Sequence, residues 1–295
     1  MGVGTRRRTV LFNFDVVLPA VLVTKSSLFN FSWRVLTIRT SREMEMATTA
    51  EIPKFVSVPP RARHTATVIM VHGLGDSGYG WKSVAQMFAD EPGLHHVKWV
   101  LPHAPPRAVT ANGGRVMPAW FDIIEFSMDL NAPRQDTAGM LATARSFDAL
   151  IAAEVEAGMP AERIVLGGFS QGAAMTLLTG LTTKHRLAGL VVMSGRLPAK
   201  DSIKEASALH MLSEHARKLP IWWGHGKQDP LVTFELGNKS REVLRTEMGI
   251  ETVDSEAVLG GGVDFHAYDG LTHSTSMEEL EDLQVFIRKV IPSTD

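Results

Sequence analysis

Residues 168–172 read GFSQG and place Ser170 between glycines, at the point where a strand pattern gives way to a helix pattern. Residues 163–166 (RIVL), separated from the motif by Gly167, are mostly apolar and contain β-branched residues, whereas the six residues after the motif, AAMTLL, suit a helix. A strand–turn–helix of this kind holds the serine in a strained conformation with its hydroxyl exposed at the end of a sheet. GxSxG alone is a moderate signal, and its flanks strengthen the prediction that Ser170 is a nucleophile.

A serine needs two partners further along the chain, because a histidine must take its proton and a carboxylate must orient that histidine. Residues 219–226 (LPIWWGHG) predict a buried strand, and Asp229 follows at its carboxyl end. Residues 263–268 (VDFHAY) predict a later strand, and His273 follows it. The order Ser, Asp, His is the one expected for a nucleophile elbow. We therefore predict Asp229 as the acid and His273 as the base.

Each of these two assignments has a simpler alternative. Asp229 also suits a turn before a proline, and His273 suits the polar start of a helix beginning near Met277. Three other residues compete for the roles of acid and base: Asp264, Asp269 and His225. We rank them lower, because they fall on a strand, in an Asp-Gly turn and ahead of the acid in the chain, respectively.

Acyl transfer also requires N–H donors for a developing oxyanion, one just after the nucleophile and one from a loop after an early strand. Gln171 supplies the first. Residues 65–71 (TATVIMV) predict an apolar strand that ends in 72–78 (HGLGDSG), where glycines on both sides let the Leu74 N–H turn toward the site. We assign Leu74 as the second donor. A phosphate-binding loop is the weaker alternative, since no Gly-Lys-Ser/Thr follows.

Predicted strands and helices alternate through the rest of the chain, which favours an α/β fold with a mostly parallel sheet and helices on both faces. The other predicted strands are 97–101, 164–166 and 187–193, and residues 57–61 suit a linker or an edge segment. Two predicted helices carry apolar stripes at helical spacing that should face the sheet. The stripes are Met140, Ala144, Phe147 and Ile151 in one helix and Leu280, Leu283, Phe286, Ile287 and Val290 in the last.

The composition excludes several classes of function. The 295 residues are 44% hydrophobic with a net charge of −2, so the chain can bury a substantial core and has no electrostatic reason to bind nucleic acid. It contains no cysteine, which excludes disulfides, thiolate metal sites and a cysteine nucleophile. The pair His95 and His96 and the nearby His103 lack a further ligand at metal spacing. We expect neither a metal nor an organic cofactor.

Several motifs together resemble the acyl-protein thioesterase family, also described as lysophospholipase-like carboxylesterases. They are residues 72–76 (HGLGD), Trp81, 117–122 (MPAWFD), 167–172 (GGFSQG), 229–232 (DPLV) and 273–274 (HS). The similarity runs from about residue 65 to residue 292. It implies an α/β-hydrolase that cleaves long acyl chains from S-acylated (palmitoylated) cysteines of proteins, with transient contact with a membrane surface, and that also acts on lysophospholipids and small esters.

The resemblance assigns roles to individual residues as well. It implies that Ser170, Asp229 and His273 are catalytic, that Leu74 and Gln171 form the oxyanion hole, and that Trp120 and Phe121 bind substrate by lining an acyl tunnel, although those two rings also suit core packing. Arg196 stands where the family commonly has a large apolar residue, which leaves the acyl preference open. Met128 and Leu130 suit either a mobile flap or an ordinary loop.

Two alternatives to a thioesterase stay open. A general carboxylesterase or lysophospholipase would use the same residues and differ only in the leaving group that it accepts. A ligand-binding protein built on the same fold would need no chemistry, and the complete set of motifs argues against it.

Residues 1–46 differ in character from the catalytic domain that we assign to 47–295. An apolar run over 10–23 is interrupted by Asn13, Asp15 and Pro19, and it is shorter than the roughly 20 residues of a membrane-spanning helix. We interpret these 46 residues as an N-terminal extension.

Three interpretations of this extension stay open. It is a disordered segment, a mitochondrial transit peptide, or an artefact of a translation start that lies instead at Met44 or Met46. A transit peptide fits because arginines and serines recur and Asp15 is the only acidic residue before Glu43. We expect a cytoplasmic protein, with mitochondria as the alternative.

Overall fold

A computed structural model describes residues 50–127, 130, 134–198 and 212–294. These residues belong to one unit, Thr49–Asp295. The predicted extension over residues 1–46 lies outside the described residues, and so does Met128 of the predicted flap.

Nine strands are found in the described residues. In chain order they are β1 (Phe55–Val58), β2 (Ala66–Val71), β3 (Val97–Pro102), β4 (Pro106–Val109), β5 (Arg115–Pro118), β6 (Ile164–Phe169), β7 (Gly189–Met193), β8 (Pro220–Gly226) and β9 (Gly262–Tyr268). Seven of them form one sheet in the order β1-β3-β2-β6-β7-β8-β9, in which only the β1–β3 pair is antiparallel. The parallel strands therefore place their carboxyl ends along a single edge of the sheet.

Five α-helices are found in the same residues. They are α1 (Lys82–Ala89), α2 (Thr137–Glu156), α3 (Gln171–Thr182), α4 (Phe234–Met248) and α5 (Met277–Val290). Side chains of α2, α3 and α4 pack into one buried apolar cluster, and those of α1 and α5 pack into a second cluster on the other face. The prediction of an α/β fold, with a mostly parallel sheet covered on both faces, is confirmed.

The apolar stripes explain how the helices attach to the sheet. All four stripe residues predicted in α2 are buried, and so are the first four of the five predicted in α5, whereas Val290 is partly buried. The side chains of Asp136, Thr233 and Ser276 accept backbone N–H groups at the starts of α2, α4 and α5, which satisfies donors that a helix leaves unpaired.

Three strands were absent from the sequence prediction. Residues 55–58 form the edge strand β1, which includes only Ser57 and Val58 of the predicted linker or edge segment over 57–61. The strands β4 and β5 form a separate hairpin, which turns through Gly113 and Gly114 at φ values of 67° and 77°. Short, exposed strands of this kind carry little apolar periodicity. The predicted strand over 187–193 begins at Gly189.

Candidate active site

The backbone of Ser170 has the strained conformation expected of a nucleophile elbow. It lies between β6 and α3 at φ 55° and ψ −116°, a region that residues with a side chain rarely adopt. The flanking glycines are required by close packing, because a Cβ on Gly168 would lie 2.4 Å from the Gly172 carbonyl carbon. A Cβ on Gly172 would lie 2.4 Å from the Val71 oxygen. Strand and helix can approach this closely only because neither position carries a side chain.

The structure brings the three predicted triad side chains together from three separate loops. Ser170 Oγ donates to His273 Nε2 at 2.8 Å, and His273 Nδ1 donates to Asp229 Oδ2 at 2.7 Å. The Asp229 carboxylate is inaccessible to solvent, whereas the His273 side chain keeps 14% of its exposure. The imidazole therefore faces the buried acid on one side and the accessible hydroxyl on the other.

Asp229 is held as an anion by its surroundings. Burial by itself raises the pKa of this carboxyl, but the hydrogen bond and charge of His273 and two backbone N–H groups outweigh it, so the net pKa is lowered. Both of those N–H groups, from Leu231 and Val232, donate to Asp229 Oδ1 at 2.9 Å. One carboxylate oxygen is thus fixed by the backbone and the other is left for His273.

His225 is close to Asp229 but is committed elsewhere. Its Nε2 lies 3.9 Å from Asp229 Oδ2 and donates to the Val232 carbonyl at 2.7 Å. Its Nδ1 accepts the indole N–H of Trp223 at 3.4 Å. The ring is fully buried, and burial lowers its pKa. A neutral imidazole with both nitrogens occupied is poorly suited to accept a proton from Ser170.

The competing aspartates lie away from Ser170 and His273. Asp264 lies within β9, where its carboxylate is 3.0 Å from His266 Nε2. Asp269 lies in the turn after β9 with an exposed side chain, and it pairs with Lys227 at 3.0 Å. Among the residues that the structure describes, neither carboxylate makes a hydrogen bond or an ion pair with His273.

The two predicted oxyanion donors flank the elbow. A Cβ on Gly73 would lie 3.3 Å from Ser170 Cβ, so the loop that carries Leu74 touches the nucleophile directly. The Leu74 N–H makes no hydrogen bond to the part of the chain that the structure describes. Gln171 is the first residue of α3, where N–H groups lack intrahelical partners and the helix dipole favours negative charge. Both positions therefore suit an anion beside Ser170.

His72 holds this loop in place. Its Nδ1 donates to the Gly73 carbonyl at 2.7 Å, and its Nε2 accepts the Ala104 N–H at 3.1 Å. The His72 carbonyl accepts the indole N–H of Trp120 at 2.8 Å. The ring is buried, and burial lowers its pKa, which keeps it neutral.

The Gln171 side chain has a role that the sequence did not reveal. Its Oε1 accepts the Trp120 N–H at 2.9 Å, and its Nε2 donates to the Phe121 carbonyl at 2.8 Å. The oxygen and the nitrogen of this amide therefore both bind the backbone of the loop after β5, and Gln171 is the residue next to the nucleophile in the chain. The only local signal was a polar residue beside the serine, which does not identify its distant partners.

Trp120 and Phe121 are deeply buried, with 1% and 4% of their surface exposed. The Trp120 ring packs edge-on against Phe147 at 4.8 Å. It also borders a cavity of about 390 Å³ whose lining includes none of the three triad residues. Their role in binding an acyl chain stays a prediction. Leu130, from the predicted flap, is also buried.

Nothing in the described residues suggests a metal site. No group of three His, Asp or Glu side chains converges there. His95 and His96 bind the backbone carbonyls of Asp90 and Ile291, and His103 accepts the Gly78 N–H. None of the described helices is long and apolar enough to cross a bilayer.

Taken together, these groups can carry out acyl transfer through a covalent intermediate. A strained serine donates its hydroxyl proton to an imidazole, and the imidazole donates to an ionised carboxylate. The Gly73 loop and the start of α3 lie next to this serine, and their backbone N–H groups are candidates for the oxyanion hole.

Comparison with known proteins places this geometry in a family. The sequence profile of the phospholipase/carboxylesterase family matches residues 53–291. Acyl-protein thioesterase 1 of Cryptococcus neoformans var. neoformans serotype D is 43% identical over 239 residues, which cover 81% of this chain and 98% of that protein.

Solved structures of similar proteins also match this chain. The crystal structure of Arabidopsis thaliana SOBER1 matches with a TM-score of 0.67 and 32% identity, covering 78% of this chain and 100% of SOBER1. The crystal structure of Zea mays acyl-protein thioesterase 2 matches with a TM-score of 0.66 and 29% identity, covering 81% of this chain and 99% of that one.

Proposed function

The chain belongs to the phospholipase/carboxylesterase family of hydrolases, and we propose that it cleaves long-chain acyl thioesters from S-acylated cysteines of proteins through an acyl-enzyme on Ser170. The observation that carries the proposal is the continuous pair of hydrogen bonds from Ser170 through His273 to Asp229. The relatives named acyl-protein thioesterase support the choice of thioesters.

The first half of the reaction transfers the acyl group to the enzyme. Ser170 Oγ attacks the thioester carbonyl carbon while His273 Nε2 accepts the hydroxyl proton. Negative charge develops on the carbonyl oxygen, where the N–H groups of Leu74 and Gln171 stabilise it. The carbon–sulfur bond then breaks, His273 returns the proton to the cysteine sulfur, and the acyl group remains as an ester of Ser170.

The second half releases the fatty acid. Water attacks the ester carbonyl as His273 takes one of its protons, and the same N–H groups stabilise the second oxyanion. Collapse of this intermediate returns the proton to Ser170 and frees the carboxylic acid. Asp229 stays ionised throughout, because it stabilises the imidazolium form of His273 and holds the ring in the correct orientation.

A general carboxylesterase or lysophospholipase is the second candidate, and the family's own description favours it. The chemistry would be identical, because only the leaving group differs. Side-by-side turnover of a palmitoyl-cysteine peptide, a lysophospholipid and a short-chain ester separates the candidates. A palmitoyl peptide turned over more slowly than both others would favour the second candidate.

We further propose that the activity resides in residues 47–295 and takes place in the cytoplasm, with transient contact at a membrane surface where acylated proteins lie. All motifs of the site lie beyond Met46, so a chain starting there should match the full-length protein in turnover. A large loss would show that residues 1–46 contribute to the domain. A fluorescent fusion of those residues tests the mitochondrial alternative.

Covalent labelling tests the nucleophile. A fluorophosphonate probe should label the wild-type protein at Ser170, and Ser170→Ala should lose both labelling and hydrolysis while keeping its circular dichroism spectrum. Labelling of folded Ser170→Ala would place the nucleophile elsewhere. A wild-type protein that hydrolyses no acyl substrate would favour a ligand-binding role.

A further inference from the structure

Arg196 lies beside the nucleophile, on the neighbouring strand end. The Ser170 N–H donates to the Met193 carbonyl at the end of β7, and Arg196 follows three residues later along the same sheet edge. Between them, a Cβ on Gly195 would lie 2.6 Å from Ala173 Cβ. The backbone of Arg196 is therefore held close to the first turn of α3, which Ser170 precedes.

The side chain of Arg196 reaches across to another wall of the site. Its Nη1 donates to the Ser127 carbonyl at 3.5 Å. Ser127 belongs to the loop after β5, whose first residues are bound by the side chain of Gln171. Arg196 thus connects the segment after β7 with the loop after β5, both of which contact residues at the start of α3, and it places a positive charge between them.

This guanidinium lacks the strong partners that Arg288 and Arg163 have. It carries five N–H donors, and the contact with Ser127 is at the limit of a hydrogen bond. It forms an ion pair with no carboxylate among the residues that the structure describes. Arg288, by contrast, pairs with Glu91, and Arg163 donates to two carbonyls at 2.7 and 2.8 Å.

Burial makes it energetically unfavourable for the Arg196 guanidinium to have no anionic partner. The side chain is partly buried, and burial lowers its pKa, although a guanidinium remains charged at neutral pH. A charge withdrawn from water is unfavourable unless it is paired and hydrogen-bonded. Carboxylates and phosphates satisfy a guanidinium best, because two of their oxygens match its planar fork.

We propose that Arg196 forms a cationic subsite beside Ser170, which binds an anionic oxygen group of the substrate and makes the enzyme prefer acylated substrates that carry negative charge near the scissile bond. The proposal rests on the hydrolase function above and specifies its substrate class. The anion is a carboxylate or phosphate carried either by the acyl group or by the leaving group, and the two sources can be told apart.

The test uses two pairs of substrates that differ in charge. p-Nitrophenyl pentanoate and mono-p-nitrophenyl glutarate differ by a carboxylate on the acyl group. A monoacylglycerol and the corresponding lysophosphatidate differ by a phosphate on the leaving group. For each, kcat/KM is measured with wild type, Arg196→Met and Arg196→Lys.

Arg196→Met should lower kcat/KM about 10- to 100-fold for the anionic member of at least one pair, the range expected for a lost charge-assisted hydrogen bond. Its effect on the neutral member should stay within about threefold, since no charged group then faces position 196. Arg196→Lys should fall in between, because an ammonium keeps the charge but loses the bidentate fork. The pair that responds identifies whether the anion belongs to the acyl or the leaving group.

Arg217→Met is the matched control. Arg217 also donates to a backbone carbonyl, that of Met248 at 3.2 Å, but it lies just before β8, at the opposite edge of the sheet. In both pairs of substrates, this variant should leave the ratio of kcat/KM for the anionic member to kcat/KM for the neutral member unchanged.

Equal anionic-to-neutral ratios for wild type and Arg196→Met in both pairs would overturn the proposal. Failure of wild type to hydrolyse a palmitoyl-cysteine peptide as well as all four of these esters would instead reject the hydrolase function. If Arg196→Met does not fold, Arg196→Gln takes its place. Protection of wild-type Ser170 from fluorophosphonate by free glutarate, but not by pentanamide, then provides a second measurement, and equal protection by the two would again reject the subsite.

Discussion

Two regions of the molecule each bring acids and a histidine together, and they differ in whether the histidine also contacts a serine hydroxyl. In the triad, His273 connects a buried carboxylate to a strained serine hydroxyl. In a second cluster, a histidine lies between two carboxylates. We call it the β9–α5 cluster, and its members are Asp264, His266, Tyr268, Glu279 and Asp282. His266 is 3.0 Å from Asp264 and 3.6 Å from Asp282, and the Tyr268 hydroxyl donates to Asp282 at 2.8 Å.

The difference between the clusters lies in what surrounds the imidazole. Both nitrogens of His266 face acids, so it has no hydroxyl to activate, and the described residues place no strained turn beside it. His273 has one acid, one hydroxyl and a helix start next to that hydroxyl. Acid and histidine near each other do not make a catalytic site; a nucleophile and donors for its oxyanion are also required.

The largest expected effect is a loss of kcat when an aspartate of the triad is replaced by asparagine, and the same replacement in the β9–α5 cluster should have little effect. Asp229→Asn should lower kcat about 10⁴-fold, because the ring of His273 loses the carboxylate that orients it and stabilises its charge. His273→Ala should be at least as inactive. Asp264→Asn, the matched variant in the β9–α5 cluster, should stay within about threefold of wild type.

Steady-state kinetics and circular dichroism of each variant check this prediction. The comparison would fail if folded Asp264→Asn, or the exposed-turn variant Asp269→Asn, were as inactive as Asp229→Asn.

A second prediction concerns His225, whose Nε2 lies 3.9 Å from Asp229 Oδ2, compared with 2.7 Å for His273 Nδ1. His225→Ala should cost about 2–4 kcal/mol of unfolding free energy, since it leaves a cavity and strips Trp223 and Val232 of hydrogen-bond partners. Its kcat should fall by no more than about tenfold, because proton transfer runs through His273. Urea unfolding and turnover measured on one sample separate the effects. A loss of kcat equal to that of His273→Ala would make His225 the base.

A third prediction uses the pH dependence of the β9–α5 cluster. Glu279 is fully buried, and burial raises the pKa of its carboxyl to about 8, although the backbone N–H of Ser276 acts in the opposite direction. An unfolded glutamate titrates near pH 4.3. Between these values the folded protein holds a proton that the unfolded chain has released, so the free energy of unfolding falls as pH rises from about 4.5 to 8.

Glu279→Gln should remove this slope, because an amide stays neutral at every pH. We expect the variant to match wild type at pH 5 and to exceed its melting temperature by about 5–10 °C at pH 8.5. Exposed Glu281→Gln, on the same helix, is the control and should show the wild-type slope. Parallel slopes for wild type and Glu279→Gln would mean that Glu279 is ionised in the folded protein.

The smallest expected effect is that of a chelator. In the proposed mechanism the backbone N–H groups of Leu74 and Gln171 stabilise the oxyanion without a metal. In the β9–α5 cluster, Asp264 and Asp282 face different nitrogens of His266, so these two carboxylates do not converge on one point. EDTA should leave kcat/KM within experimental error of the untreated protein. A loss restored by Ca²⁺ or Zn²⁺ would reveal a metal requirement and make the β9–α5 cluster the first place to search.

The sequence by itself determined the architecture and the membership of the triad. Apolar periodicity marks strands and helices because it follows from the geometry of each element, and GFSQG marks the elbow because only glycines fit its close contacts. Once the strands are parallel, residues that follow three of them must meet at one edge of the sheet. Ser170, Asp229 and His273 could therefore be predicted to meet without coordinates, although their catalytic roles stay predictions.

Only the tertiary structure decided what surrounds those three residues. The Gln171 amide binds the backbone at Trp120 and Phe121, some fifty positions away. Both ring nitrogens of His225 are engaged by Trp223 on β8 and Val232 in the following loop, and Arg196 donates to the Ser127 carbonyl. No local pattern encodes such contacts, because each depends on how separately folded segments pack against one another.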